Sequence, residues 1–121
     1  MSRCWWISGA LSGFFAVAMG AFGAHALAGK LSTRSLEIYQ TAAHYHLIHA
    51  VALLAVGAWT SQHPETGNAA GWLFLTGTII FSGSLYLLAI TDIKWLGAIT
   101  PIGGTLFLAG WLSIAWSEWR T

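Results

Sequence analysis

Charged residues are scarce in this sequence: Lys, Arg, Asp and Glu together make up 7% of 121 residues. Hydrophobic residues make up 56%, and the mean hydropathy is +0.65. Both values lie outside the balance of a soluble globular domain. With so little charge, apolar windows of about 18 or more residues must exist, and these are long enough to cross a bilayer. The composition therefore predicts an integral membrane protein.

Cysteine and basic clusters are also scarce. Cys4 is the only cysteine, which excludes an intrachain disulfide and a metal site built from cysteines. The net charge is +1, and Lys and Arg form no cluster, so the electrostatic signature of a nucleic-acid-binding protein is missing.

Four apolar windows are present, at about 5–27, 36–59, 70–90 and 96–116. Each is long enough for a spanning helix with some tilt. The connections GKLSTRSLE, SQHPETGN and TDIK are short and contain the turn-forming and charged residues. Short connections make neighbouring helices antiparallel. The sequence thus predicts an all-α fold, a single transmembrane domain arranged as a four-helix up-down bundle.

Tryptophan supports this register, because its ring prefers the membrane interface. With four spans, six tryptophans lie on one side of the membrane: Trp5, Trp6, Trp59, Trp72, Trp116 and Trp119. Trp95 lies on the other side, and Trp111 lies within the fourth helix. Lys and Arg are divided too evenly to fix the orientation.

The first window has an alternative interpretation as a signal peptide, with a small-x-small cleavage site at Ala24-His25-Ala26.

Small residues follow one face of the first helix and are expected to pack against a neighbouring helix or a second copy. They are Gly9, Gly13, Ala16, Gly20 and Ala24. The start of the fourth helix, Thr100 to Gly104, contains a proline and two glycines and predicts a close approach or a kink.

The third helix carries Thr78, Ser82 and Tyr86 at a spacing of four residues. Hydroxyl groups within a bilayer need hydrogen-bond partners. This polar stripe is therefore predicted to face the interior of the bundle.

Histidines are concentrated in the second helix, in the segment TAAHYHLIHA. His46 and His49 are three residues apart and lie about 60° from each other, whereas His44 lies about 160° from His46. The side formed by Thr41, Tyr45, His46 and His49 is predicted to turn inward, with His49 near the membrane midplane. His44 is expected to point elsewhere.

A polar pocket is predicted where His46 shares one half of the bundle with His25, Tyr86 and Thr100. Buried imidazoles could simply bond to neighbouring helices, bind a metal ion or haem, handle protons or a small solute, or recognise a lipid or quinone. A nucleophile elbow, a phosphate loop and a buried carboxylate pair are all missing. The sequence therefore does not predict an enzyme.

Four ordered segments resemble a known family over nearly the whole chain. They are GAFGAHAL (20–27), YHLIHAVALL (45–54), FSGSLYLLA (81–89) and TPIGGTLFLAGW (100–111). They resemble domain of unknown function 423, which includes small bacterial inner-membrane proteins and the eukaryotic transmembrane protein 256. The resemblance implies a small multi-pass membrane protein and carries no biochemical activity. Family members can have Gln in place of His46, which favours hydrogen bonding over metal ligation there.

We therefore expect a structural or accessory protein of the bacterial inner membrane with an internal polar pocket. The alternatives are binding of a metal, haem or small hydrophobic ligand through His25 and His49, and proton-linked transport of a small solute. No particular cofactor is indicated. The expected partner is the lipid bilayer, and a pocket this small is compatible with a homo-oligomer or a larger membrane complex. The candidate pocket residues are His25, His46, His49, Ser82, Tyr86 and Thr100.

Overall fold

The computed structural model describes residues 2–120 and consists of four helices without any strand in that range. Helix α1 spans Ser2–Phe22 and continues as a π-helical turn over Gly23–Leu27; α2 spans Thr33–Thr60, α3 Pro64–Thr91 and α4 Leu96–Trp119. All four are long and apolar enough to cross a membrane. The predicted all-α fold with four spans is confirmed.

Helix α3 begins six residues earlier than predicted, within the segment that the sequence suggested was a loop. Pro64 occupies its first turn, where the missing N–H is not needed, and Glu65 lies in the same turn, where the helix dipole favours a carboxylate. Helix α2 also begins earlier, since the Ser32 side chain accepts a hydrogen bond from the backbone N–H of Ser35 and caps the helix.

The helices pack in chain order: α1 on α2, α2 on α3, and α3 on α4. Helix α1 touches α3 only slightly, and in the described part of the chain it has no backbone contact with α4. Helices α2 and α4 meet only through side chains. The row is therefore not closed into a ring, and this leaves a groove between α1 and α3 and a cleft between α2 and α4.

Glycines allow the closest approaches between helices. A Cβ at Gly9 would lie 2.9 Å from the backbone nitrogen of Leu54 and 3.0 Å from the carbonyl oxygen of Ala50, so α1 lies directly on α2. At Gly103, a Cβ would lie 2.8 Å from Cα of Phe81, which confirms the predicted close approach at the start of α4. Gly20 also belongs to the predicted small-residue stripe, but a Cβ at this position would meet no atom within 4 Å.

Side-chain contacts between helices hold the tryptophan-rich end of the bundle together. At this end, Trp5 is buried in the core, and its indole N–H donates to Oδ1 of Asn68 at 2.9 Å. There, Glu118 at the end of α4 accepts from the Trp59 indole and pairs with His63 at 3.0 Å. These contacts join the α2–α3 turn to the end of α4.

Candidate functional site

The α1–α3 groove lies over α2 and has a volume of about 500 Å³, within the range of small-molecule sites. Its sides are mostly hydrocarbon and it is open along one side, which faces the lipid if the helices span a bilayer. The apolar lining comes from Leu11, Phe15, Leu75, Ile79 and Gly83. The polar lining comes from Ser8, Ser12, His46, Thr78, Ser82 and Tyr86.

His46 and Tyr86 form the central polar pair of this groove. Nδ1 of His46 and the hydroxyl oxygen of Tyr86 are 2.9 Å apart and share a hydrogen bond. Side chains tilt toward the N-terminus of their helix, and α2 and α3 are antiparallel. The two rings therefore converge although their backbones are offset along the bundle. Nε2 of His46 has no partner among residues 2–120.

The predicted polar stripe of α3 is buried, as expected, and two of its members are already engaged. Ser82 donates to the carbonyl oxygen of Ala42 at 2.9 Å and joins α3 to α2. Thr78 donates to the carbonyl oxygen of Phe74 in its own helix at 2.8 Å. The hydroxyl protons of these two residues are thus used within the protein.

Ser8 and Ser12, one turn apart on α1, behave differently. Both are half-buried and line the groove, and neither side chain has a hydrogen-bond partner in the described part of the chain. Neither serine was among the residues predicted for the site. Their spacing of four residues in an otherwise apolar helix was the available signal, because it places both hydroxyls on one face.

His49 lies in the α2–α4 cleft, which is lined by Tyr45, His49, Phe81, Phe107 and Trp111 among others. Its side chain is buried and stacks on Phe107, with ring centroids 3.6 Å apart and planes 6° apart. The Trp111 indole N–H donates to Nε2 at 3.1 Å. An indole nitrogen only donates, so the proton of the neutral ring is on Nδ1, which donates to the carbonyl oxygen of Tyr45 at 2.9 Å. Both ring nitrogens of His49 are therefore occupied.

The remaining predicted site residues do not join either histidine. Thr100 shares a hydrogen bond of 2.6 Å with Ser84 at the contact between α3 and α4. His25 is exposed in the π-helical turn and has no hydrogen-bond partner among residues 2–120. The expectation that His25 and Thr100 share a pocket with His46 and Tyr86 thus differs from the observed arrangement.

The predicted inward side of α2 is also only partly inward. His49 is buried and His46 is half-buried, but Thr41 is exposed and Tyr45 is 40% exposed. His44 is exposed at the outer surface of α2, where its ring lies edge-on to Tyr45. Within residues 2–120, no group of three His, Cys, Asp or Glu side chains is close enough together to hold a metal ion.

Comparison with known proteins gives consistent matches. A family model described as "Protein of unknown function (DUF423)" matches residues 19–104. UPF0382 membrane protein SH2409 of Staphylococcus haemolyticus is 46% identical, over 94% of this chain and 93% of that protein. UPF0382 membrane protein YwdK of Bacillus subtilis is 44% identical over 89% of each chain. No solved structure gives a significant match.

Proposed function

The chain belongs to the DUF423 family of membrane proteins, and from this premise we propose that it binds a small amphipathic molecule of the bilayer in the α1–α3 groove. The His46–Tyr86 pair contacts the polar head of that molecule, and the apolar lining of the groove contacts its hydrocarbon part. The protein acts as an accessory binding protein and has no catalytic activity of its own.

One observation carries this proposal: hydrogen-bonding atoms without a partner among residues 2–120 line a groove whose remaining lining is mostly apolar. Within the hydrocarbon core of a bilayer, a polar group without a hydrogen-bond partner costs several kcal/mol, which is on the order of the free energy of transferring that group from water into hydrocarbon. Leu and Ala occupy other positions of α1, so the helix itself does not require a hydroxyl group at positions 8 and 12. The hydroxyl groups of Ser8 and Ser12, which line the same groove as His46, are therefore better explained by a ligand than by packing.

The chemical character of the groove lining supports a binding role. Among residues 2–120, no Asp, Glu, Lys, Arg or Cys side chain lines it. Neutral imidazole, phenol and alcohol groups can orient a head group, but they include no activated nucleophile and no ion pair. The bacterial relatives and the four apolar helices support a location in the bacterial plasma membrane, the inner membrane where two are present.

Gly83 provides the sharpest test of the site. It lines the groove, and a Cβ at this position would meet no atom within 4 Å. Gly83→Leu is therefore expected to fill the groove without disturbing helix packing. Gly20→Leu is the matched control, because a Cβ there also meets nothing within 4 Å and Gly20 lies outside the groove.

The three proteins would be extracted with their surrounding lipids in polymer discs, and the bound small molecules compared by mass spectrometry. We expect one amphipathic species to be enriched over the bulk lipid in the wild-type protein and in Gly20→Leu. Gly83→Leu should lose that enrichment while retaining its helical circular dichroism spectrum and unfolding temperature. The proposal fails if the wild-type protein enriches no species or if Gly83→Leu retains the same one.

A further inference from the structure

We infer that the molecule bound in the α1–α3 groove has an uncharged head that contains a carbonyl oxygen, on an apolar chain. This inference rests on the proposed function and specifies the chemical class of the ligand. Isoprenoid quinones and acylglycerol esters are two membrane sources of that chemistry.

The groove offers no counter-charge to a ligand. None of the charged residues described by the structure lines it. A phosphate, carboxylate or ammonium head would lie at membrane depth without a counter-ion, which is strongly unfavourable. The groove therefore selects against fatty-acid anions and phospholipid head groups.

The His46–Tyr86 pair keeps one hydrogen-bond donor whichever way its own hydrogen bond runs. If the Tyr86 hydroxyl donates to Nδ1 of His46, the neutral ring carries its proton on Nε2. If Nδ1 donates instead, the phenol proton is free. In either arrangement, the pair retains one N–H or O–H that is not used between the two side chains.

Two serines add to this donor. Ser8 and Ser12 each have a hydroxyl donor without a partner among residues 2–120. Together with the His46–Tyr86 pair, they provide three donors in one groove. A carbonyl oxygen has two lone pairs and no proton, so it accepts from such donors directly. An alcohol head would add a further donor to these three, whereas a carbonyl head adds only acceptors, which favours the carbonyl.

The apolar lining of the groove indicates the character of the ligand beyond its head. Leu11 and Phe15 of α1 face Leu75 and Ile79 of α3 across the groove. A volume of about 500 Å³ accommodates a ring or an ester head with the first part of a chain. The open side lets the remaining chain extend into lipid.

The test uses native mass spectrometry of the purified protein in detergent micelles, titrated with four probes. Decylubiquinone and dioctanoylglycerol contain carbonyl groups, decanol has only a hydroxyl, and decanoate is an anion. We expect the two carbonyl probes to bind at least about 10-fold more tightly than decanol and decanoate. The stronger of the two carbonyl probes identifies the source of the ligand.

Variants connect this preference to the donors. Removal of His46 alone would leave the Tyr86 hydroxyl free to donate, so the pair is removed as a whole. The double variant His46→Phe/Tyr86→Phe should weaken carbonyl binding about 3- to 10-fold, and Ser12→Ala about 3-fold. His46→Gln retains an N–H donor and should bind within about 3-fold of wild type. His44→Phe places a His-to-Phe substitution on the outer side of α2, away from the groove, and should leave the affinity for the carbonyl probes unchanged.

Equal or tighter binding of decanol or decanoate would overturn the inference, as would unchanged carbonyl affinity in both His46→Phe/Tyr86→Phe and Ser12→Ala. These outcomes are separable from failure of the proposed function. If Gly83→Leu blocks the binding of whichever probe is preferred, the groove is the site and only the class of head is wrong. If Gly83→Leu blocks none of them, the groove itself is not the site.

Discussion

His46 and His49 lie one turn apart on α2, yet they belong to two different openings between the helices. His46 is half-buried in the α1–α3 groove, with one ring nitrogen bonded to Tyr86 and the other without a partner in the described chain. His49 is buried in the α2–α4 cleft, with both nitrogens bonded and its ring stacked on Phe107. A rotation of about 60° around the helix is enough to turn two neighbouring imidazoles toward different helices.

The difference shows that burial and an available ring nitrogen do not coincide in this protein. The more buried histidine is the one whose hydrogen bonds are complete, so it joins α2 to α4 and offers no free lone pair to a ligand. The less buried histidine keeps unused capacity beside two serines. The α2–α4 cleft is therefore interpreted as a packing feature, and the α1–α3 groove as the proposed site.

The largest expected effect comes from Gly103, which seats α4 on α3 and so shapes the α2–α4 cleft. In Gly103→Ala, the new methyl group would meet the backbone of Phe81, which cannot rotate away. We expect a loss of about 2–3 kcal/mol in unfolding free energy, measured by titration with sodium dodecyl sulfate. Gly104→Ala is the matched control, since its Cβ would lie 3.7 Å from the Phe81 ring. Equal losses in the two variants would contradict this packing.

His49→Leu should have the next largest effect, because it leaves the Trp111 indole N–H without its acceptor. The expected loss is about 1–2 kcal/mol in the same titration. Trp111→Phe should remove the same hydrogen bond, and the double variant should lose less than the sum of the two single losses. If His46→Leu destabilises the protein as much as His49→Leu, the distinction between the two histidines fails.

The smallest expected effect on the unfolding free energy distinguishes hydroxyls of the α1–α3 groove that are hydrogen-bonded within the protein from those that are not. Ser82→Ala removes the hydrogen bond to Ala42 and should lower the unfolding free energy by about 0.6 kcal/mol. Ser12→Ala removes a hydroxyl without a partner in residues 2–120 and should change it by less than about 0.5 kcal/mol. A larger loss for Ser12→Ala than for Ser82→Ala would assign Ser12 to packing instead of ligand binding.

Much of the fold could be predicted from local patterns. The apolar windows identified all four helices, and the small residues correctly indicated where Gly9 and Gly103 approach a neighbour. The polar stripe of α3 was also correctly assigned to the interior. The early start of α3 at Pro64 was missed, because Pro, Gly and Asn suggested a loop where a proline in the first turn instead begins a helix.

The candidate site was predicted only in part, for a geometric reason. Periodicity places His46 and His49 on one side of α2, but it does not say which helix faces each of them. It also gave no reason to pair Ser8 and Ser12 with Tyr86, since these residues are brought together by contacts between α1, α2 and α3. Thr100 and His25 shared a membrane half with His46 in the predicted register, yet both lie elsewhere.

The membrane character, the number of spans and the antiparallel order all follow from the sequence alone, because hydrophobic length and short connections are local properties of the chain. The open row of helices does not follow from it, and neither does the choice of which imidazole keeps a ring nitrogen without a partner among residues 2–120. Both depend on how each helix is rotated against its neighbours, and that rotation is set by side-chain packing between segments far apart in the chain.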